Sequence, residues 1–144
     1  MTTMGRIVSL VHKIGFLDER LTNFIATSNV YRILKWAQHS EDLDQDRRYL
    51  TSDIEDADVV ASSYNSYGFN TGLHRPVLDI DLDIVVVPSS TPGHHHLYID
   101  KLMTWERYAK LLQALADAGI VQQGFVNVSL QRGATMVRLP WVKK

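Results

Sequence analysis

The chain has 144 residues, of which 45% are hydrophobic and 22% are charged, and its formal net charge is −1. These values are typical of one soluble globular domain, and no apolar run approaches the roughly 18 to 20 residues that a membrane span needs. The chain has no cysteine, which excludes disulfides and thiolate metal sites, and its N-terminus lacks the pattern of a secretion signal. We therefore expect a cytoplasmic protein.

Three amphipathic stretches predict a helical lead over residues 1–39. Ile7, Leu10, Val11 and Ile14 form one helical stripe, and Asp18 can cap a second helix that carries Leu21, Phe24 and Ile25. Ser28 can cap a third helix. Two interpretations stay open, since the lead either packs on a sheet or forms a helix-turn-helix. In the second case the DNA-facing residues of the third helix are Tyr31, Arg32 and Lys35.

An acidic connector over residues 40–58 follows this lead, with eight acidic residues against two arginines. Its composition predicts a solvated loop or a short helix. A run of strand-forming residues begins at Val59. We therefore expect a single domain over 1–144, in which 59–144 forms the core.

The central stretch predicts two strands with functional side chains on one face. Asp79, Asp81 and Asp83 alternate with apolar residues, so on a strand they share one face. A Ser-Ser-Thr-Pro-Gly turn follows. In the second run His94, His96 and Tyr98 share a face, while His95, Leu97 and Ile99 share the other. If the apolar faces meet a common core, carboxylates and imidazoles collect on the opposite surface.

The remaining elements complete an α+β prediction. Thr104 caps a clear helix that Gly119 ends, and Phe125–Leu130 with Ala134–Trp141 flanks a plausible hairpin turn. We expect a helical N-terminal lead, then a mainly antiparallel sheet with one covering helix and a C-terminal hairpin. The polar face of that sheet then holds Asp79, Asp81, Asp83, His94, His96, Asn127 and Arg138.

This polar face permits two kinds of chemistry and one simpler alternative. Two carboxylates spaced two residues apart on a strand can converge on one hard cation, which then takes its remaining ligands from substrate phosphates. The pair His94 and His96 could instead help to bind a transition metal. The simpler alternative is that the aspartates form the wet face of an amphipathic strand.

At these residues the chain resembles the archaeo-eukaryotic primase superfamily in its small primase–polymerase form. Leu78-Asp79-Ile80-Asp81 is similar to the family's Asp-x-Asp strand ending, and Ser89 to Tyr98 is similar to its turn and histidine strand. The segment from Val137 to Pro140 resembles the terminal Arg-x-Pro segment. The resemblance implies Mg²⁺ or Mn²⁺ at Asp79 and Asp81, with catalytic residues Asp79, Asp81 and His96. The phosphate-binding residues that it implies are Ser90, His94, His96, Arg138 and Lys143.

These residues predict binding of a nucleotide or single-stranded nucleic acid, with metal-dependent nucleotidyl transfer if the core is active. Asn127 stands where the family's third motif supplies a carboxylate, so we expect weak or absent primer synthesis. Two alternatives stay open. One is a non-enzymatic DNA-binding regulator that uses the N-terminal helices, and the other is a small adaptor of viral type that binds a host protein.

Overall fold

A computed structural model describes residues 19–33, 48–51, 57–66 and 69–143. Contacts between Cα atoms group the chain into two compact units, Met1–Leu78 and Asp79–Lys144. The first predicted helix, over residues 7–14, and most of the acidic connector lie outside the described residues. The prediction of a single domain therefore stays a prediction.

The first unit combines one described helix with a four-stranded antiparallel sheet. The elements are α1 (Glu19–Ala26), β1 (Ser28–Ile33), β2 (Arg48–Thr51), β3 (Val59–Ser66) and β4 (Phe69–His74). The strand order is β2-β1-β3-β4. Val30 is buried at the centre of this unit, and Ile25, Ala57 and Val60 pack against it. The predicted second helix and the strand from Val59 are thus present as α1 and β3.

The predicted helix from Ser28 is wrong over residues 28–33, which form strand β1. The Ser28 hydroxyl does not cap a new helix, because it donates to the Phe24 carbonyl oxygen of α1 at 2.7 Å. Thr27 donates to the same carbonyl at 3.2 Å. Both hydroxyls thereby end α1, and the β-branched Val30 and aromatic Tyr31 favour the strand that follows. The first residues of the recognition helix that the helix-turn-helix interpretation requires therefore lie in a strand.

Arg75 anchors the end of β4 to α1 within this unit. Its guanidinium lies 4.1 Å from the ring centre of Phe24 and 5.2 Å from that of Tyr64. One terminal nitrogen donates to the Phe24 carbonyl oxygen at 2.7 Å, and the Arg75 amide donates to the Ser62 carbonyl at 2.9 Å. One side chain therefore ties the helix to the sheet through cation–π contacts and charge-assisted hydrogen bonds.

The second unit contains a two-stranded hairpin and two helices. These are β5 (Ile84–Pro88), β6 (His95–Ile99), α2 (Trp105–Asp117) and α3 (Gln123–Arg132). As predicted, Thr104 caps α2, and its hydroxyl accepts from the Arg107 amide at 3.3 Å. The helices pack together, with Leu112 and Val126 buried. Gln113 and Gln123 join them through reciprocal amide hydrogen bonds of 2.8 and 3.1 Å.

The predicted C-terminal hairpin is wrong, because residues 123–132 form helix α3. Val126 and Ser129, three residues apart, are its buried side chains, and the Ser129 hydroxyl donates to the Phe125 carbonyl at 2.7 Å. Gly133, at φ 72°, ends the helix in the left-handed conformation. The Gln131-Arg132-Gly133 sequence is thus the end of a helix and not a hairpin turn.

The α+β class is confirmed, with helices and two antiparallel sheets among the described residues. The strands form two separate sheets, whereas the sequence predicted one. Within the described ranges, no helix is long and apolar enough to cross a membrane.

Candidate functional site

The β5–β6 hairpin separates its two faces as the alternation predicted. His96 pairs with Val87 and Leu97 pairs with Val86, so the two pairs point to opposite sides. His96 is half-buried. The apolar face is not the covered core face that the sequence predicted, since Leu97 is 56% exposed and Ile99 is 42% exposed.

The connection between these strands is held by its own backbone. The Ser89 amide donates to the His94 carbonyl at 2.9 Å, and the His94 amide donates to the Thr91 carbonyl at 3.1 Å. The Ser89 hydroxyl accepts from the Thr91 amide at 3.1 Å. Gly93 adopts φ 79°, a conformation that glycine tolerates without steric cost. Ser90 is exposed within this hydrogen-bonded loop.

The predicted strand through Asp79 and Asp81 is wrong, because residues 75–83 form no strand and β5 begins at Ile84. The partner strand ends at Ile99, where it pairs with Ile84. One further hydrogen bond follows, in which the Asp100 amide donates to the Asp83 carbonyl at 2.9 Å. Among the described residues, no strand pairs with the segment that carries Asp79 and Asp81. Aspartate also disfavours strands, especially when unpaired.

The segment that carries Arg138 is fixed on both sides. Upstream, the hydroxyls of Tyr108 and Thr135 are hydrogen-bonded at 2.7 Å. Downstream, the Val142 amide donates to the Leu139 carbonyl at 3.0 Å and closes a turn. Residues 135–139 belong to no helix or strand, and these two hydrogen bonds flank Arg138 in the chain.

The loop and this segment meet at an open depression of about 200 Å³, a volume that includes the solvent at its mouth. We call it the Arg138 depression, and its lining residues are Pro88, Ser89, Ser90, His96, Arg138, Leu139, Pro140 and Val142. Because much of this volume is open solvent, the Arg138 depression is a surface feature that does not enclose a ligand.

Three of the lining side chains are free to bind a ligand. The Ser90 hydroxyl, the His96 ring and the Arg138 guanidinium make no hydrogen bond or ion pair with any side chain in the described ranges. The chain carries no acidic residue beyond Ile120 and has four basic ones there. A guanidinium, an imidazole and a hydroxyl can all donate to the oxygens of a phosphate group.

The structure thus groups Ser90, His96 and Arg138, three of the residues predicted to bind phosphate. His94 and Lys143 do not line the depression, and neither do Asp79 and Asp81. Asn127 is not on a sheet face, because it lies on α3 and its side-chain oxygen accepts from Gln123 at 3.0 Å.

Asp79 and Asp81 are exposed, and no group of three or more His, Asp or Glu side chains in the described part of the chain could hold a metal ion. A site for Mg²⁺ or Mn²⁺ can use only one or two carboxylates together with substrate oxygens, so the predicted ion at Asp79 and Asp81 stays a prediction. We derive no chemical step that uses a metal.

Sequence reasoning missed the apolar and loop residues of the depression. The sequence did not indicate Ser89 as a lining residue because its position depends on the loop hydrogen bonds. Pro140 was assigned to the predicted strand Ala134–Trp141, and Val142 lay just beyond that strand. The Pro140-Trp141 dipeptide was an available signal, since proline favours the second position of a turn.

Comparison of the chain with protein-family models, with characterised proteins and with solved structures gives no match. The resemblance to the primase superfamily therefore depends on the quoted motif residues alone.

Proposed function

We propose that this protein binds phosphate groups of nucleotides or single-stranded nucleic acid at the Arg138 depression. The observation that supports the proposal is the meeting of Ser90, His96 and Arg138 around one open depression, each without a partner in the described ranges. Such donors commonly contact nucleic-acid phosphates, which supply much of the affinity and orient the ligand.

Each donor has a distinct part in this proposal. Arg138 supplies a permanent positive charge and can donate two parallel hydrogen bonds to one phosphate. His96 is presented by a strand and Ser90 by a loop with internal hydrogen bonds, so both enter binding with little loss of freedom. The absence of acid beyond Ile120 limits repulsion of the phosphate from this end of the chain.

The proposal keeps only the phosphate-binding residues that the primase resemblance implies. Ser90, His96 and Arg138 belong both to the quoted motifs and to the depression, whereas Asp79 and Asp81 belong only to the motifs. Because the two aspartates do not line the depression, we propose binding without efficient nucleotidyl transfer.

The test is the affinity for a labelled single-stranded oligonucleotide, measured by fluorescence anisotropy at several salt concentrations. Arg138→Gln should weaken binding by roughly tenfold at low salt and reduce the salt slope by about one. Arg132→Gln is the matched control, because it removes the same charge at the end of α3, outside the depression. Equal losses in the two variants would show that the binding is only a general charge effect.

A further inference from the structure

Trp141 lies at the edge of the Arg138 depression and is exposed. The turn from Leu139 to Val142 has Pro140 and Trp141 at its two central positions. The residues on both sides of Trp141 line the depression, whereas Trp141 itself is 75% exposed. The turn therefore places Trp141 in the chain between two lining residues, with its side chain open to solvent.

The indole has no role in holding the described fold together. It makes no ring contact, cation–π contact or hydrogen bond with any side chain in the described ranges. A single exposed apolar residue needs no explanation in itself. This one differs because it belongs to the same turn as Pro140 and Val142, which line the depression together with Ser90, His96 and Arg138.

Aromatic side chains beside a basic groove are the usual way in which proteins hold unpaired bases. The base stacks on the ring while its phosphate contacts the basic groups, and the contact tolerates any base because every base has a flat face. In a duplex the faces of the bases are already stacked on their neighbours, so the same ring cannot use them. In the sequence Trp141 lies between the basic residues Arg138 and Lys143.

We infer that Trp141 stacks on an unpaired base whose phosphate lies in the Arg138 depression, which makes single-stranded nucleic acid the ligand. This inference rests on the proposed phosphate binding. It adds a residue that the primase-like motifs do not contain, and it identifies the ligand as a polymer with exposed bases.

The experiment compares two labelled strands of roughly 12 nucleotides, one of thymidines and one of abasic sites with the same number of phosphates. Affinities are measured for the full chain and for Trp141→Ala, Trp141→Phe and Arg138→Gln. Leu102→Ala is the control, because Leu102 is 96% exposed and does not line the depression. Circular dichroism verifies that each variant is folded.

We expect Trp141→Ala to weaken binding of the thymidine strand by about tenfold and to leave binding of the abasic strand unchanged. Trp141→Phe should recover most of the loss, and quenching of tryptophan fluorescence by the thymidine strand should decrease in both variants. A Trp141→Ala variant with unchanged affinity for both strands would overturn the stacking role, while a loss for Arg138→Gln would keep the phosphate site.

Two other outcomes would also be decisive. Equal weakening of both strands by Trp141→Ala would mean that the indole only maintains the turn, which would overturn the inference. If the full chain bound neither strand, or if Arg138→Gln had no effect on either, the proposed function itself would fail.

Discussion

The hydroxyl of Tyr108 lies 2.7 Å from the hydroxyl of Thr135 and joins helix α2 to the segment that carries Arg138. Tyr108 is itself supported by Trp105, whose ring meets it edge-on at 5.6 Å between ring centres. A helix that does not line the depression thus positions the residue that provides its permanent positive charge.

The first prediction concerns this hydroxyl pair. Tyr108→Phe removes one hydroxyl and keeps the ring, so it should lower the free energy of unfolding by about 1 kcal/mol. Thr135→Val should cost a similar amount. Because both act on one bond, the double variant should be less destabilised than the sum of the single changes, as measured by urea unfolding.

The same variants should weaken oligonucleotide binding, since the segment before Arg138 loses its attachment to α2. Additive free energies in the double-variant cycle would show that the two hydroxyls do not interact in solution.

The second prediction concerns Arg75 in the first unit. Arg75→Met keeps a long apolar side chain but removes the contacts with Phe24 and Tyr64 and the bond to the Phe24 carbonyl. We expect the free energy of unfolding to fall by about 2 to 4 kcal/mol. Thermal unfolding monitored by circular dichroism measures this loss.

Arg75→Lys is the informative companion variant. It keeps the charge but lacks the planar fork, so it should recover only part of the stability. Full recovery by lysine would mean that charge alone, and not the guanidinium geometry, holds α1 to the sheet.

The third prediction uses two glycines of the same helix region. Gly133 has φ 72° at the end of α3, so Gly133→Ala should destabilise the protein by about 1 kcal/mol. Gly124 lies in the first turn of α3 with no atom near its added Cβ, so Gly124→Ala should be neutral or slightly stabilising. Chemical denaturation measures both effects. Gly124→Ala is the variant that tests the helical assignment, because a glycine in a hairpin turn would also need a positive φ at Gly133.

The fourth prediction concerns the two aspartates. The double variant Asp79→Asn with Asp81→Asn should bind oligonucleotides as the unchanged chain does at physiological salt, because neither residue lines the depression. Calorimetric titration with Mn²⁺ should give no binding heat that depends on these residues. A heat that disappears in the double variant would instead support the primase-like metal site.

The sequence predicted those elements whose signals are local. Short-range patterns predicted that Thr104 caps α2 and that the His96 strand pairs with the strand before it. Ser90, His96 and Arg138 were predicted from their donor groups and line one depression, and their binding of phosphate stays a prediction.

The failures have a common physical cause, which is dependence on contacts distant in sequence. Asp79 and Asp81 alternate like strand residues, but a strand needs a partner, and β6 has ended before it could pair with them. Val126 and Ser129 fit a strand or a helix equally well until packing against α2 decides. The Tyr108–Thr135 bond attaches the segment before Arg138 to α2, and no sequence motif indicates this contact.

The most direct test of the Arg138 depression as the binding site is an NMR titration of the ¹⁵N-labelled chain with a single-stranded oligonucleotide. We predict that the largest amide shifts cluster at Ser89, Ser90 and His96 and in the segment from Arg138 to Val142, and that Arg138→Gln removes them. Shifts confined to the first unit, or a cluster that survives Arg138→Gln unchanged, would contradict the account.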